Sequence, residues 1–147
     1  MKEKLLDEVK QLIEKRMATS WEAMQNAQAA ANEESKSSVG DKYETGRAMA
    51  QIDRDMNARQ YEQARQEREI LEKIKLDAVP NHIKLGSLVE TSMGYFFLAV
   101  SIGAIKFEGK NIMVISTQSP IGQLLLGKKP QETFVLRAKT EKVLRIE

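Results

Sequence analysis

The sequence predicts an α+β protein in which an N-terminal antiparallel coiled-coil hairpin of two helices precedes a small α+β domain. Three observations point there. Two proline-free segments of the first half place apolar or small residues every three or four positions. A cluster of turn formers, Ser35-Lys36-Ser37-Ser38-Val39-Gly40, separates them. After Leu76 the helical spacing gives way to short runs of β-branched and aromatic residues.

The first arm, Lys4 to Glu34, lacks glycine as well as proline and is rich in strong helix formers. Its seam reads Leu6, Val9, Ile13, Met17, Ser20, Met24, Ala27 and Ala31, the narrow stripe of a coiled coil. The second arm, Tyr43 to Leu76, is expected to carry its seam at Met49, Ile52, Met56, Arg59, Gln63, Gln66, Ile70 and Ile74, with a polar middle. At 1.5 Å per residue each arm is roughly 45–50 Å long. Near-equal arms joined by a short link give a hairpin over residues 1–76, its tip near 35–44. Alanines crowd the tip end of both arms, whereas Leu5, Leu6, Val9, Ile70, Leu71 and Ile74 crowd the base, so the tip is expected to be thin.

Asp77 to Asn81 forms a linker, because Pro80 disfavours helix in the residue before it. Residues 77–147 then form the second domain. Strands are expected at Ile83–Thr91, Tyr95–Ser101, Ile112–Ser116, Thr133–Ala138 and Lys142–Ile146. One short helix interrupts them. Ser119 suits its cap, Pro120 its first turn, and Gly127 its end.

Composition narrows the function. The 147 residues include no cysteine and one histidine, which excludes disulfides, thiolate zinc sites and a cysteine nucleophile, and argues against a histidine-built metal site. The nearly uncharged run from Tyr95 to Ile105 is short of the ~20 residues that span a bilayer. Without a visible secretory signal the chain is expected in the cytoplasm, away from membranes. Basic and acidic residues number five and seven in 1–35, nine and eight in 36–75, and nine and six in 76–147. No basic block of the kind that binds duplexes emerges, so autonomous sequence-specific DNA binding is not expected. The glycines are too scattered for a phosphate-binding loop, and no catalytic triad is visible.

Asp41 and Glu44 are the candidate chemistry. Three residues apart at the start of the second arm, they match a capping box, in which Asp41 takes the Glu44 amide and Glu44 reaches back. They also supply two hard oxygen ligands, too few for a dedicated cage but enough to complete a magnesium site shared with a partner. The two readings are compatible. Arg47, one turn on, is a candidate for contact with a phosphate. Arg54, Arg59, Arg65 and Arg68 read as a solvated face with acidic partners. Trp21 and the arm methionines read as packing, and His82 as structural.

The stretch Ile115-Ser116-Thr117-Gln118-Ser119-Pro120-Ile121-Gly122-Gln123-Leu124-Leu125-Leu126-Gly127-Lys128 resembles the C-terminal signature of the Gre transcript-cleavage factors. Leu85-Gly86-Ser87-Leu88-Val89 and Gly40-Asp41-Lys42-Tyr43-Glu44 resemble two further motifs of that family, and the order of parts agrees over nearly the whole chain. The resemblance implies an FKBP-like C-terminal domain docked on the rim of the secondary channel of bacterial RNA polymerase, with Ser119 and Pro120 at the contact. It implies a hairpin inside that channel, where Asp41 and Glu44 help hold a magnesium ion beside the RNA 3′ end. The polymerase then cleaves backtracked RNA, so the factor is an activator of the polymerase's own nuclease. On this resemblance it is expected not to be an enzyme itself, to act as a monomer, and to bind no cofactor when free. Thr45-Gly46-Arg47 stand where the family tends to have Asn-Ala-Glu, and Leu124 replaces the usual alanine. The alternative is therefore a secondary-channel regulator that binds polymerase without stimulating cleavage. Rivals from other classes are a prolyl isomerase or peptide-binding module, and a plain coiled-coil dimer. Tyr95, Phe96 and Phe97 are adjacent in one strand and cannot all line one isomerase pocket.

Overall fold

The computed structural model describes residues 2–36, 40–76 and 80–147, with the side chains of 34–44 excepted. Its elements run α1 (Lys2–Lys36), α2 (Gly40–Glu72), β1 (Leu88–Thr91), β2 (Gly94–Ala99), β3 (Gly103–Phe107), β4 (Lys110–Ser116), α3 (Pro120–Leu125), β5 (Thr133–Leu136) and β6 (Lys139–Ile146). The class is α+β, a helical hairpin followed by a six-stranded mixed sheet. The chain divides into two compact units, Lys10–Glu69 on the one hand and Met1–Val9 with Ile70–Glu147 on the other.

Within the helical unit, α1 and α2 run antiparallel. Glu14 lies 3.5 Å from Arg68, Trp21 stacks obliquely on Tyr61 with ring centroids 5.4 Å apart, and Arg54 donates to Gln28 Oε1 at 2.9 Å. Each advance of seven residues along α1 is thus matched by seven back along α2, the heptad step of a coiled coil. The first-arm seam is where the sequence puts it, with Ile13, Ser20 and Ala31 buried.

The second-arm seam is not. Ala50, Ala64 and Leu71 are buried and Arg54, Asn57 and Tyr61 half-buried, whereas Met49, Ile52 and Met56 are exposed. The inward stripe is offset by one residue, about 100° around the helix. Ala50 and Ala64 let the helices approach closely, and the Trp21–Tyr61 and Gln28–Arg54 contacts form in this register. The expected packing role therefore fails for Met49 and Met56. Helix α2 also ends at Glu72 rather than Leu76, its last turn tightened by bonds from Lys73 N–H to Ile70 O and from Ile74 N–H to Leu71 O.

In the other unit the strand order is β3-β4-β2-β1-β6-β5. Strands β2 and β4 pair in parallel and the remaining neighbours antiparallel. One face packs Val89, Phe96, Leu98, Ile115, Val143 and Ile146 against Ile83, Leu125 and Phe134. The register puts Leu88, Phe97 and Val114 on the opposite face, and all are buried. Leu5, Leu6 and Val9 of α1 and Leu71 of α2 are buried in the same unit, which leaves the helix ends as the cover for that second face. Burying one such side chain stabilises the fold by about 1.5–3 kcal/mol.

The strand expected at Ile83 starts only at Leu88. Residues 84–87 instead turn through Gly86 (φ 89°), and Ile83 exchanges backbone bonds with Gly127 and Lys128. A Cβ at Gly86 would come within 2.5 Å of Ile74 Cγ2, so glycine is required there twice over. Strand β3, which begins at Gly103, was not among the expected strands. Strand β5 stops at Leu136, because Arg137 and Ala138 form a two-residue hairpin turn with φ of 51° and 66°.

Candidate docking and tip sites

The stretch Ser116–Lys128 folds into a closely bonded turn and helix. Ser116 ends β4, and its carbonyl accepts bonds from Ser119 N–H (3.1 Å) and Ser119 Oγ–H (2.6 Å). Ser119, extended at φ −67° and ψ 157°, caps α3 by accepting the Gly122 N–H at 3.0 Å. Pro120 occupies the first turn, where its missing N–H costs nothing. Gly122 is buried so tightly that a Cβ would lie 2.1 Å from Ser116 O and 2.9 Å from Ser119 Oγ. At the far end Gly127 (φ 84°) turns the chain away and donates to Ile83 O at 2.7 Å.

This frame decides which side chains point outward. Leu125 is buried and Ile121 half-buried, one turn apart on the inner side of α3. Pro120, Gln123 and Leu124 share the opposite side at i, i+3 and i+4 and are exposed, with Leu126 exposed just beyond. Ser119 is thus a structural cap with a half-buried side chain, and Pro120 the exposed member of the predicted pair. The exposed leucines add an apolar contribution that the motif alone did not single out. Their place one turn after a prolyl cap was the available signal.

At the other predicted site α2 begins at Gly40, so Asp41 falls in its first turn and Glu44 just beyond it. Their side chains lie outside the described residues, and so do both the capping and the metal role. Among the described residues no group of three or more acidic or histidine side chains is placed to hold a metal. Arg47 is exposed on α2 and engaged in an interaction of its own. Likewise among the described residues, no helix is long and apolar enough to cross a membrane.

Along α2, Arg54, Arg65 and Arg68 take partners. Arg65 bridges Glu62 and Glu69, Arg54 meets Asp55, and Arg68 reaches across to Glu14. The Arg65 hydrogen bond holds the Glu62 carboxyl below the usual carboxylate range, and the two glutamates hold Arg65 above its ordinary value. Sequence reasoning also missed an open concavity of about 330 Å³ lined by Met17, Ala18, Trp21 and Tyr61. In the sheet unit, partial burial pushes the Lys2 ammonium down from its ordinary value, partly offset by Glu147.

No protein-family model matches the chain, and no curated protein matches it. Among solved structures the chain is similar to one described as the transcription factor Gfh1, with 19% identity over 94% of this chain and 92% of that one, at a TM-score of 0.38.

Proposed function

We propose that this chain is a Gre-like transcription elongation factor that binds bacterial RNA polymerase, α3 docking on the rim of the secondary channel and the hairpin tip entering it. The observation that carries the proposal is the Ser116–Lys128 turn. The residues that resemble the Gre signature serve one purpose, in which Ser119 and Gly122 lock the turn and Pro120 is displayed on its outer side, beside Leu124, which stands where the signature has alanine. A solved structure described as a transcription factor, similar over most of its length, is compatible with this reading.

At the tip, two carboxylates fit a hard divalent cation in ligand type and fall short of it in number, so any magnesium is held jointly with the polymerase. Bound there, the ion supplies Lewis acidity toward a phosphodiester and its attacking water. This chain's part is to deliver Asp41 and Glu44 on a narrow support and to place Arg47 one turn away, where a phosphate of the extruded RNA is within its reach.

A second reading rests on Thr45-Gly46-Arg47. Glycine inside a helix, as Gly46 is in α2, destabilises it by about 1 kcal/mol relative to alanine, and arginine reverses a charge that the Gre signature carries there. Both changes favour a factor that occupies the channel without stimulating cleavage.

RNA release from a stalled, backtracked complex of the cognate polymerase with magnesium separates the two. Cleavage stimulated by the native chain and abolished in Asp41→Asn/Glu44→Gln, with binding retained, supports the metal role. Binding without stimulation leaves the regulator, and absence of binding overturns the proposal.

A further inference from the structure

We infer that the outer face of the β5–β6 hairpin is a second docking surface, one that takes an acidic protein segment carrying aliphatic side chains. The inference rests on the polymerase reading above and assigns that segment to the same partner.

The register defines the surface. Thr133 pairs with Lys142 and Val135 with Thr140, while Phe134 and Val143 point into the core. Alternation therefore sets Thr133, Val135, Thr140, Lys142 and Leu144 on the side away from that core. Nothing in the sheet unit covers them, since Val135 is 59% and Leu144 41% exposed. Elsewhere the same side of the sheet is closed, as the burial of Leu88, Phe97 and Val114 shows.

The charge on this side is cationic: of the six basic residues in 128–147, Lys142 lies on the outer side and Arg137 at the hairpin turn, and no acidic residue of the hairpin lies on the outer side. Among the described residues the side chains of Arg137 and Lys142 have no ionic or hydrogen-bonding partner, whereas Glu132 accepts the Lys129 N–H and Glu141 accepts the Ser92 hydroxyl; Lys139, paired with Leu136, lies on the other side of the hairpin. Glu141 pairs with Phe134 and so lies on the opposite side from Lys142. The hairpin turn sharpens the picture. Its two positive-φ positions suit asparagine and glycine, yet they hold Arg137 and Ala138, which puts a cation at the apex at a conformational cost.

Aliphatic side chains interleaved with free cations fit an acidic protein better than a nucleic acid. The face has no aromatic ring on which a base could stack, and its few cations would neutralise few phosphates. A second copy is disfavoured, because like-charged surfaces repel.

The test is equilibrium binding of the full chain to cognate RNA polymerase core enzyme. Arg137→Glu/Lys142→Glu is expected to weaken binding about tenfold at low salt and by less at high salt. Val135→Asp is expected to weaken it by a similar factor at every salt concentration. Lys142→Gln and Val135→Thr, which leave the fold least disturbed, are expected to lose about threefold, and thermal melts verify that each variant is folded. If the native chain binds, Leu124→Asp abolishes binding and all the hairpin variants bind normally, the α3 docking stands and this inference falls. If the native chain does not bind, both fall. If the same variants lose affinity for a labelled single-stranded RNA while binding polymerase normally, the surface belongs to nucleic acid and the inference is again overturned.

Discussion

Replacing Gly122 by alanine tests the logic of the α3 turn most directly. The added Cβ would lie 2.1 Å from the Ser116 carbonyl oxygen, about 1.3 Å inside ordinary contact, and 2.9 Å from Ser119 Oγ. Neither atom yields easily. The Ser116 oxygen accepts two bonds from Ser119, and Ser119 Oγ accepts the Gly122 amide, so relief of the clash costs the cap. Loss of a serine cap costs about 1 kcal/mol, and forcing a group into a filled site costs about 1–3 kcal/mol. The expected destabilisation is about 2–4 kcal/mol, a fall of roughly 6–12 °C in melting temperature for a chain of this size. Ser119→Ala, which loses the cap without adding the clash, is expected to cost about 1 kcal/mol. Calorimetric melts of the two variants decide the matter. A Gly122→Ala protein that melts with the native one, or above Ser119→Ala, refutes the claim that steric closure fixes glycine here.

Gly86→Ala combines a positive φ with an overlap on Ile74 Cγ2 and is expected to destabilise by about 2 kcal/mol. Ile74→Ala in the same chain should then cost less in urea denaturation than it does alone. Ile52→Lys lies on the exposed stripe of α2 and is expected to change stability by less than about 0.5 kcal/mol. Ala64→Leu, in the seam, is expected to cost about 1–3 kcal/mol, and the reverse ranking in thermal melts would return the seam to Met49, Ile52 and Met56. Because the folded-state pKa of Glu62 is depressed, its contribution to stability is present above the ordinary carboxylate value and is lost as pH falls through the lower folded value. A carbon-detected NMR titration should place Glu62 below the ordinary value in the native chain and return it there in Arg65→Gln; a Glu62 that titrates ordinarily in both contradicts the Arg65 pairing.

Most of the architecture was legible because its periods are local. The three-four spacing of α1, the Ser-Pro start of α3 and its terminal Gly127 are each fixed by neighbours within a few residues. The α2 seam was not legible. Two stripes one residue apart have coiled-coil spacing, and hydrophobicity favours the one through Met49, Ile52 and Met56. The occupied one is selected by what α1 offers, namely Gln28 for Arg54 and Trp21 for Tyr61, which is long-range information. Strand β3 was hidden for a similar reason. Gly103-Ala104-Ile105-Lys106-Phe107 has little strand character of its own and owes its conformation to pairing with β4. At the proposed docking site the motif singled out Ser119 and Pro120, but only the inward turn of Leu125 shows that Leu124 must face out. The tip carboxylates were identified by spacing and remain a matter for the cleavage assay.

The division of the chain has a consequence for its synthesis. Leu5, Leu6 and Val9 belong to the same compact unit as strands whose central residues lie about ninety positions later. On the ribosome these leucines and valine emerge early and wait, as part of a nascent helix, for β2 and β4 to appear. The hairpin is a local structure that forms quickly from neighbouring sequence, and by closing first it brings the ends of α1 and α2 together. A fast local element of this kind shortens the search that the sheet must later complete.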